Sequence, residues 1–131
     1  MLKFNKIAAV LLVSLAMAGT LPAQQPGGFS LAEREFILEG RADEPMRVYL
    51  ITSIEDSMLL RDQSRPVRVD PNDTVLQHFV SRLYATVTDS ASLGVGIAAP
   101  QVGLLRQIIW VQRFDKEGFP WEVFLNPASR N

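Results

Sequence analysis

The clearest hydrophobic period in the chain lies between residues 70 and 87. Apolar side chains recur there at helical spacing on one face, namely Val75, Leu76, Phe79, Val80, Leu83, Tyr84 and Val87. Asp70 precedes them as a candidate N-cap, Pro71 suits the first helical position, and Asp73 falls in the first turn. The pattern predicts one long amphipathic helix whose apolar face packs on another part of the protein.

Shorter patterns before this helix predict two further elements. Ser30 and Glu33 have the spacing of a capping box, and Gly40 is suited to end the short helix that would follow. Residues 46–54 are rich in β-branched and aromatic side chains and therefore predict a strand.

After the long helix, the pattern changes to that of a sheet. Residues 105–112 and Trp121–Leu125 predict two strands, and residues 115–118 carry the composition of a turn between them. An antiparallel hairpin is the expected result. Together the patterns predict an α+β fold in which one long helix packs on antiparallel strands.

The amino-terminal residues have the pattern of a secretory signal. Lys3 and Lys6 form a short basic region, and residues 7–18 are almost wholly apolar. Small residues allow cleavage after Ala18 or after Ala23. As a helix, this apolar run would rise only about 18 Å, against a hydrocarbon core of roughly 30 Å. We therefore expect export to the periplasm or the extracellular space, with no stable membrane anchor after cleavage.

These assignments divide the chain into three parts. Residues 1–23 form the signal peptide, and residues 24–45 form a leader that contains the short helix and begins with a flexible spacer at 24–28. Residues 46–131 form one domain, since the length leaves no room for a second.

Composition narrows the possible chemistry. Thirteen basic and fourteen acidic residues give a formal net charge of -1, so we expect no nucleic-acid partner. The chain has no cysteine, which excludes disulfides, a thiolate nucleophile and a cysteine-bound zinc. His78, the single histidine, cannot form a zinc site by itself, and we interpret it as a solvated or capping residue.

Residues 94–103 are the stretch with the most distinctive composition. Three glycines and two adjacent alanines bring backbone close to a neighbour, so the edge at Gly94, Val95 and Gly96 could pair with an extended peptide. Gln101, expected to be buried, would supply a side-chain N–H donor of the kind that stabilises an oxyanion in acyl transfer. A simple tight connection between helix and sheet is the alternative. A dinucleotide site is disfavoured, because it needs a strand before the glycines and a helix after them.

The same stretch resembles a known family motif. Residues 94–103 read G-V-G-I-A-A-P-Q-V-G, which is similar to the first signature of peptide deformylases, G-[IV]-G-[IL]-A-A-x-Q-[VI]-G. The flanking sequence agrees, and the resemblance runs from about Met46 to Asn131. It is supported by Leu60-Arg61, Pro66-Val67, Arg106 to Val111, and Phe124 to Pro127.

The resemblance implies an activity and a cofactor. Members of that family hydrolyse the formyl group of N-formylmethionyl peptides, using Fe²⁺ or another divalent metal held by an E-G-C-L-S cysteine and two histidines of an H-E-x-x-H motif. By position, Gln101 would hydrogen-bond the formyl oxygen, while Val95 and Gly96 would contact the peptide backbone and its leading methionine.

Neither metal-binding motif occurs in this sequence. We therefore expect no metal site in this chain, no activity from it alone, and a truncated domain whose apolar residues Ile108, Trp110 and Phe124 are exposed. The alternative is a non-catalytic exported module of the same fold that binds formylated or extended peptides. An unrelated small secreted α+β domain is a third, less favoured possibility.

Overall fold

The computed structural model describes residues 27–50, 52–89 and 94–128. Within these residues the chain forms three α-helices, one short 3-10 helix and a three-stranded sheet. In chain order they are α1 (Leu31–Leu38), α2 (Ile54–Leu60), α3 (Thr74–Val87), β1 (Gly96–Ala98), the 3-10 helix (Ala99–Val102), β2 (Ile108–Gln112) and β3 (Trp121–Leu125). The α+β fold class is confirmed. The signal peptide expected at residues 1–23 lies outside the described residues.

The capping box of α1 forms as its spacing predicts. The Glu33 backbone N–H donates to Ser30 Oγ at 3.1 Å, and the Ser30 N–H donates to Glu33 Oε1 at 2.8 Å. The helix ends at Leu38 with Glu39 as its C-cap, directly before Gly40, and it buries Ile37 against α3.

The N-cap of the long helix α3 lies three residues after the predicted one. Asp73 is the N-cap, since its Oδ1 accepts hydrogen bonds from the N–H groups of Val75 at 3.0 Å and Leu76 at 3.2 Å. Asp70 instead accepts the Asn72 N–H at 2.9 Å. The predicted cap at Asp70 was wrong because that carboxylate closes the turn around Pro71, which delays the helix.

The predicted strand at residues 46–54 is also wrong. Residues 46–50 are not part of a sheet, and their backbone makes separate hydrogen bonds: Met46 N–H to Thr86 Oγ1 at 2.8 Å and Tyr49 N–H to the Gln101 carbonyl at 2.7 Å. From Ile54 the chain is helical, with the Ser53 hydroxyl as the cap. The start signal of Ser53 followed by acidic residues overrides the β-type composition there.

The predicted hairpin of β2 and β3 is confirmed, although β2 begins at Ile108 rather than at residue 105. The sheet order is β1-β2-β3, and both pairings are antiparallel. Ile97 lies opposite Trp110, and Ile109 lies opposite Phe124.

The core lies between α3 and the sheet. Its largest fully buried apolar side chains are Phe79, Ile37, Leu83, Ile108 and Val102. The expected exposure of Ile108 is therefore wrong. Trp110 and Phe124 are half-buried, and the Trp110 indole N–H donates to the Val80 carbonyl at 2.9 Å because β2 packs against α3.

None of the helices in the described part of the chain combines the length and the apolar character that a membrane span requires.

Two buried arginines hold residues 27–45 on the rest of the fold. Arg106, only 3% exposed, donates to both Glu33 carboxylate oxygens at 2.8 Å and to the carbonyls of Gly27, Gly28 and Pro66 at 2.7 to 3.0 Å. The expectation of a flexible spacer thus does not hold at Gly27 and Gly28.

At the other end of α1, Arg82 donates to the carbonyls of Ile37, Glu44 and Pro45. His78 is half-buried, and its Nε2 lies 2.7 Å from the Gly40 carbonyl oxygen. The capping interpretation of His78 fits this contact, which joins α3 to the chain that leaves α1.

Candidate peptide-binding edge

Strand β1 lies at one edge of the sheet. The Gln112 N–H donates to the Val95 carbonyl at 2.9 Å, which sets the hydrogen-bonding phase of the β1-β2 ladder. Because bonding alternates along an antiparallel ladder, Ile97 directs its backbone groups to Trp110, whereas Gly96 and Ala98 direct theirs outward. The N–H and carbonyl of Gly96 therefore face an added strand, whereas the outward N–H of Ala98 is bonded to the Gln101 side chain.

The predicted edge residues lie where this pairing would occur. Gly96 is exposed, Gly94 is half-buried, and the Val95 side chain is 57% exposed. Ile97 points into the core. The sequence therefore places small or accessible residues along the edge and one apolar anchor beneath it.

Gln101 extends over the same edge. Its Oε1 accepts the Ala98 N–H at 2.8 Å. Since a backbone N–H only donates, the oxygen of the amide must face Ala98, and the Nε2 group is directed away with its two N–H donors. Gln101 is thus held as an outward-facing donor.

The expected burial of Gln101 is wrong. The residue is exposed, because its side chain folds back over the rim of the sheet while Ala99 and Val102 of the same short helix enter the core. The amide is held by a hydrogen bond and is not enclosed.

The backbone around Gln101 is held from both sides. Gly103 ends the 3-10 helix with a φ of 94°, and its N–H donates to the Pro100 carbonyl at 3.0 Å. The Leu104 N–H donates to the Ala99 carbonyl at 3.1 Å, and the Tyr49 N–H donates to the Gln101 carbonyl at 2.7 Å. These backbone contacts fix the 3-10 helix and therefore the point from which the Gln101 side chain extends.

A small hollow adjoins this edge. Its volume is about 260 Å³, and its walls include Ala98, Pro100 and Ile109. Sites for small molecules commonly enclose roughly 300–1,000 Å³, so this hollow suits one side chain better than a large ligand. A larger groove of about 630 Å³ lies between α3 and Trp110, but neither the glycine edge nor Gln101 lines it.

The available side chains do not fit a catalytic metal. Among the described residues, no group of three or more histidine, cysteine, aspartate or glutamate side chains could hold a metal ion. The full sequence contains no cysteine, and its single imidazole, His78, bonds to the Gly40 carbonyl. A catalytic zinc or iron site needs about three such ligands with one open position.

Some of these contacts were not indicated by the sequence. Residues 94–103 mark the edge and Gln101 directly, but the support from Tyr49 comes from a stretch that was expected to be a strand. A partial signal was present, because Ser53 with acidic residues at 55 and 56 is a helix start.

Comparison with known proteins agrees with the motif. Residues 48–131 match the family described as polypeptide deformylase. A solved structure that the chain is similar to is a peptide deformylase from Synechococcus elongatus in complex with actinonin, with 21% sequence identity and a TM-score of 0.42. That match covers 70% of this chain and 48% of the other, so this chain spans about half the length of the solved protein. No curated protein matches the sequence. Because the family match covers more than half of its residues, the chain belongs to the polypeptide deformylase family.

Proposed function

We propose that the outer edge of β1 together with Gln101 binds extended peptides that begin with N-formylmethionine. The observation that carries this proposal is the Ala98 N–H bond to Gln101 Oε1, which directs the Nε2 donors of Gln101 away from Ala98, beside the outer edge of β1. Family membership supports the class of ligand.

The roles of the edge residues follow from their positions. An added peptide strand would pair with the outward backbone groups of Gly96, while the exposed Val95 side chain contacts the leading methionine and Gly94 leaves room for the peptide. Gln101 Nε2 then donates to the formyl oxygen. The hollow beside Ala98 and Pro100 has the size of one further side chain.

We further propose that this polypeptide does not hydrolyse the formyl group by itself. Members of the family use Fe²⁺ or another divalent metal, and the donor set of this sequence, with no cysteine and one histidine, does not fit such an ion. Peptide binding needs only the backbone edge and the Gln101 amide, so it does not depend on the metal.

A titration monitored by NMR tests the binding proposal. The ¹⁵N-labelled chain is mixed with formyl-Met-Ala-Ser and, separately, with the same peptide lacking the formyl group. We expect the Gly96 amide and the Gln101 side-chain amide to shift with the formylated peptide, and the unformylated peptide to bind about tenfold more weakly because it leaves the Gln101 donor without its acceptor.

Gln101→Glu is the matched variant. A carboxylate still accepts the Ala98 N–H, so the strand edge is retained, but the outward donor is lost. We expect the preference for the formylated peptide to disappear. Equal preference in the wild type and the variant, or shifts that avoid β1, would contradict the proposal.

The absence of catalysis is tested with the same material. The purified chain is incubated with Fe²⁺ or Zn²⁺ and with formyl-Met-Ala-Ser, and released formate is measured. Stoichiometric metal retained together with release of formate would overturn the claim of inactivity.

The location of the protein rests on the sequence alone, and we infer export. Residues 3–18 have the basic and apolar pattern of a signal peptide. Intact-mass measurement of the product from its native host should give a chain that begins at residue 19 or 24. An exported, non-catalytic peptide-binding module is the function that the three proposals favour together.

A further inference from the structure

Asp56 ties down the chain around Tyr49, which lies next to the 3-10 helix that carries Gln101. This carboxylate on α2 is 5% exposed, and its Oδ2 accepts the Leu50 N–H at 2.8 Å. Arg47 Nη2 donates to both of its oxygens at 2.9 Å. One charged acceptor therefore ties Arg47 and Leu50, which flank Tyr49, to α2.

The hydrogen bonds that Asp56 accepts favour its ionised form. The Leu50 N–H and then the Arg47 guanidinium hold the pKa of Asp56 below its ordinary value, although burial acts in the opposite direction. At neutral pH an ionised group therefore holds Arg47 and Leu50.

Tyr49 lies between Arg47 and Leu50 and faces the 3-10 helix. The Arg47 guanidinium lies 4.2 Å from the centroid of the Tyr49 ring. The Tyr49 N–H donates to the Gln101 carbonyl at 2.7 Å. A Cβ atom at Gly103 would lie 2.9 Å from the Tyr49 hydroxyl, so the ring also packs closely on the end of the short helix.

We propose that Asp56 and Tyr49 are positioning residues for the Gln101 amide. Asp56 fixes residues 47–50 through Leu50 and Arg47, and this segment presents the Tyr49 N–H to the Gln101 carbonyl. The 3-10 helix, against which α2 packs, is thereby held where the Gln101 side chain reaches the Ala98 N–H. Both residues lie outside the ten-residue motif, and they act through Gln101.

The consequence for peptide binding rests on the proposed function, whereas the position of the amide does not. If this segment loosens, the bond between Ala98 and Gln101 opens more often, and the outward donor loses its fixed direction. Hydrogen exchange at the Ala98 amide reports on this opening in the absence of any peptide.

Asp56→Asn tests the proposal with little change of shape. The amide oxygen still accepts one hydrogen bond, but the charge that Arg47 shares is gone. We expect exchange at the Ala98 amide to accelerate at least about tenfold and the affinity for formyl-Met-Ala-Ser to fall about fivefold, both measured where the variant is fully folded.

Asp70→Asn is the matched control. Asp70 also accepts a backbone N–H, from Asn72, and also pairs with an arginine, Arg68, but it lies at the turn before α3. A purely structural effect of losing a paired carboxylate would appear in both variants. We expect the control to leave Ala98 exchange and the Gln101 side-chain resonances unchanged.

Arg47→Met is the milder variant if Asp56→Asn fails to fold, because the Arg47 side chain is mostly exposed. It should shift the same two readouts in the same direction. Unchanged Ala98 exchange in a folded variant of Asp56 or Arg47 would overturn the positioning role. If the wild type binds no peptide, the proposed function fails, while the exchange measurement still decides this inference.

Discussion

Gln101 and Arg106 lie five positions apart and use their polar groups in opposite ways. Arg106 is buried, and all five of its N–H donors bond to Glu33 or to backbone carbonyls. Gln101 is exposed, and it uses its oxygen on Ala98 while its nitrogen points outward. A polar group whose bonding capacity is used up within the fold stabilises the fold. One with remaining capacity at a strand edge is available to a ligand.

The largest effect is expected from Arg106→Ala. This change leaves the Glu33 carboxylate with little compensating charge and removes the donors to the carbonyls of Gly27, Gly28 and Pro66. Removing one partner of a buried ion pair typically costs about 3–5 kcal/mol. We expect a loss of this size in the free energy of unfolding, measured by urea denaturation.

Arg113→Ala is the control for that measurement. Arg106 pairs with one carboxylate, and Arg113 pairs with two, Asp115 and Glu122, but Arg113 lies on the hairpin surface, where solvent screens the charges. Its effect should be much smaller. Equal losses in the two variants would mean that burial does not separate structural from surface arginines in this fold.

A smaller effect is expected at two glycines with left-handed backbone. Gly103 has a φ of 94° and Gly118 has a φ of 81°, so alanine is strained at both by roughly 1–2 kcal/mol. At Gly118 a Cβ atom meets nothing within 4 Å, whereas at Gly103 it lies 2.9 Å from the Tyr49 hydroxyl. Gly103→Ala should therefore cost about 1 kcal/mol more than Gly118→Ala in thermal or urea unfolding.

The same pair of variants bears on Gln101. Displacing Tyr49 should also speed hydrogen exchange at the Ala98 amide in Gly103→Ala, with no change in Gly118→Ala. If both alanines had the same effect on stability and exchange, the contact between Tyr49 and the 3-10 helix would carry no energy.

The parts of the fold that the sequence predicts are those determined by local pattern. The long apolar face of α3, the capping box of α1 and the hairpin around residues 115–118 each depend on neighbours in sequence. Asp70 and Asp73 show the limit of this reasoning, because both are good caps and only the turn around Pro71 selects between them.

The parts that the sequence does not predict depend on distant partners. Residues 46–50 have strand composition, yet their backbone bonds go to Thr86, Gln101 and Asp56, which no local pattern indicates. The motif identifies Gln101, but its exposure follows from where the 3-10 helix meets the sheet. The strand pattern of residues 105–112 includes Arg106 but does not show that this arginine is buried.

The smallest expected effect is a pH dependence that distinguishes the Arg106 region from the surface. Burial acts to raise the pKa of Glu33, but hydrogen bonds from Arg106 and Ser30 and the guanidinium charge outweigh it and hold that pKa below its ordinary value. A carboxyl whose pKa is lower in the folded state stabilises the protein above its unfolded pKa, and this contribution is lost as pH falls through the folded value. We expect the free energy of unfolding of the wild type to exceed that of Glu33→Gln by about 1 kcal/mol at pH 7, and this difference to shrink below about pH 4.5.

Asp115 on the exposed hairpin is the comparison. Hydrogen bonds from Arg113 lower its pKa to about 2, so the smaller difference in unfolding free energy between wild type and Asp115→Asn should persist to more acidic solution. Urea unfolding at a series of pH values separates the two cases, and a Glu33 difference that stayed constant down to pH 3 would show that the charge of Glu33 does not stabilise the Arg106 region.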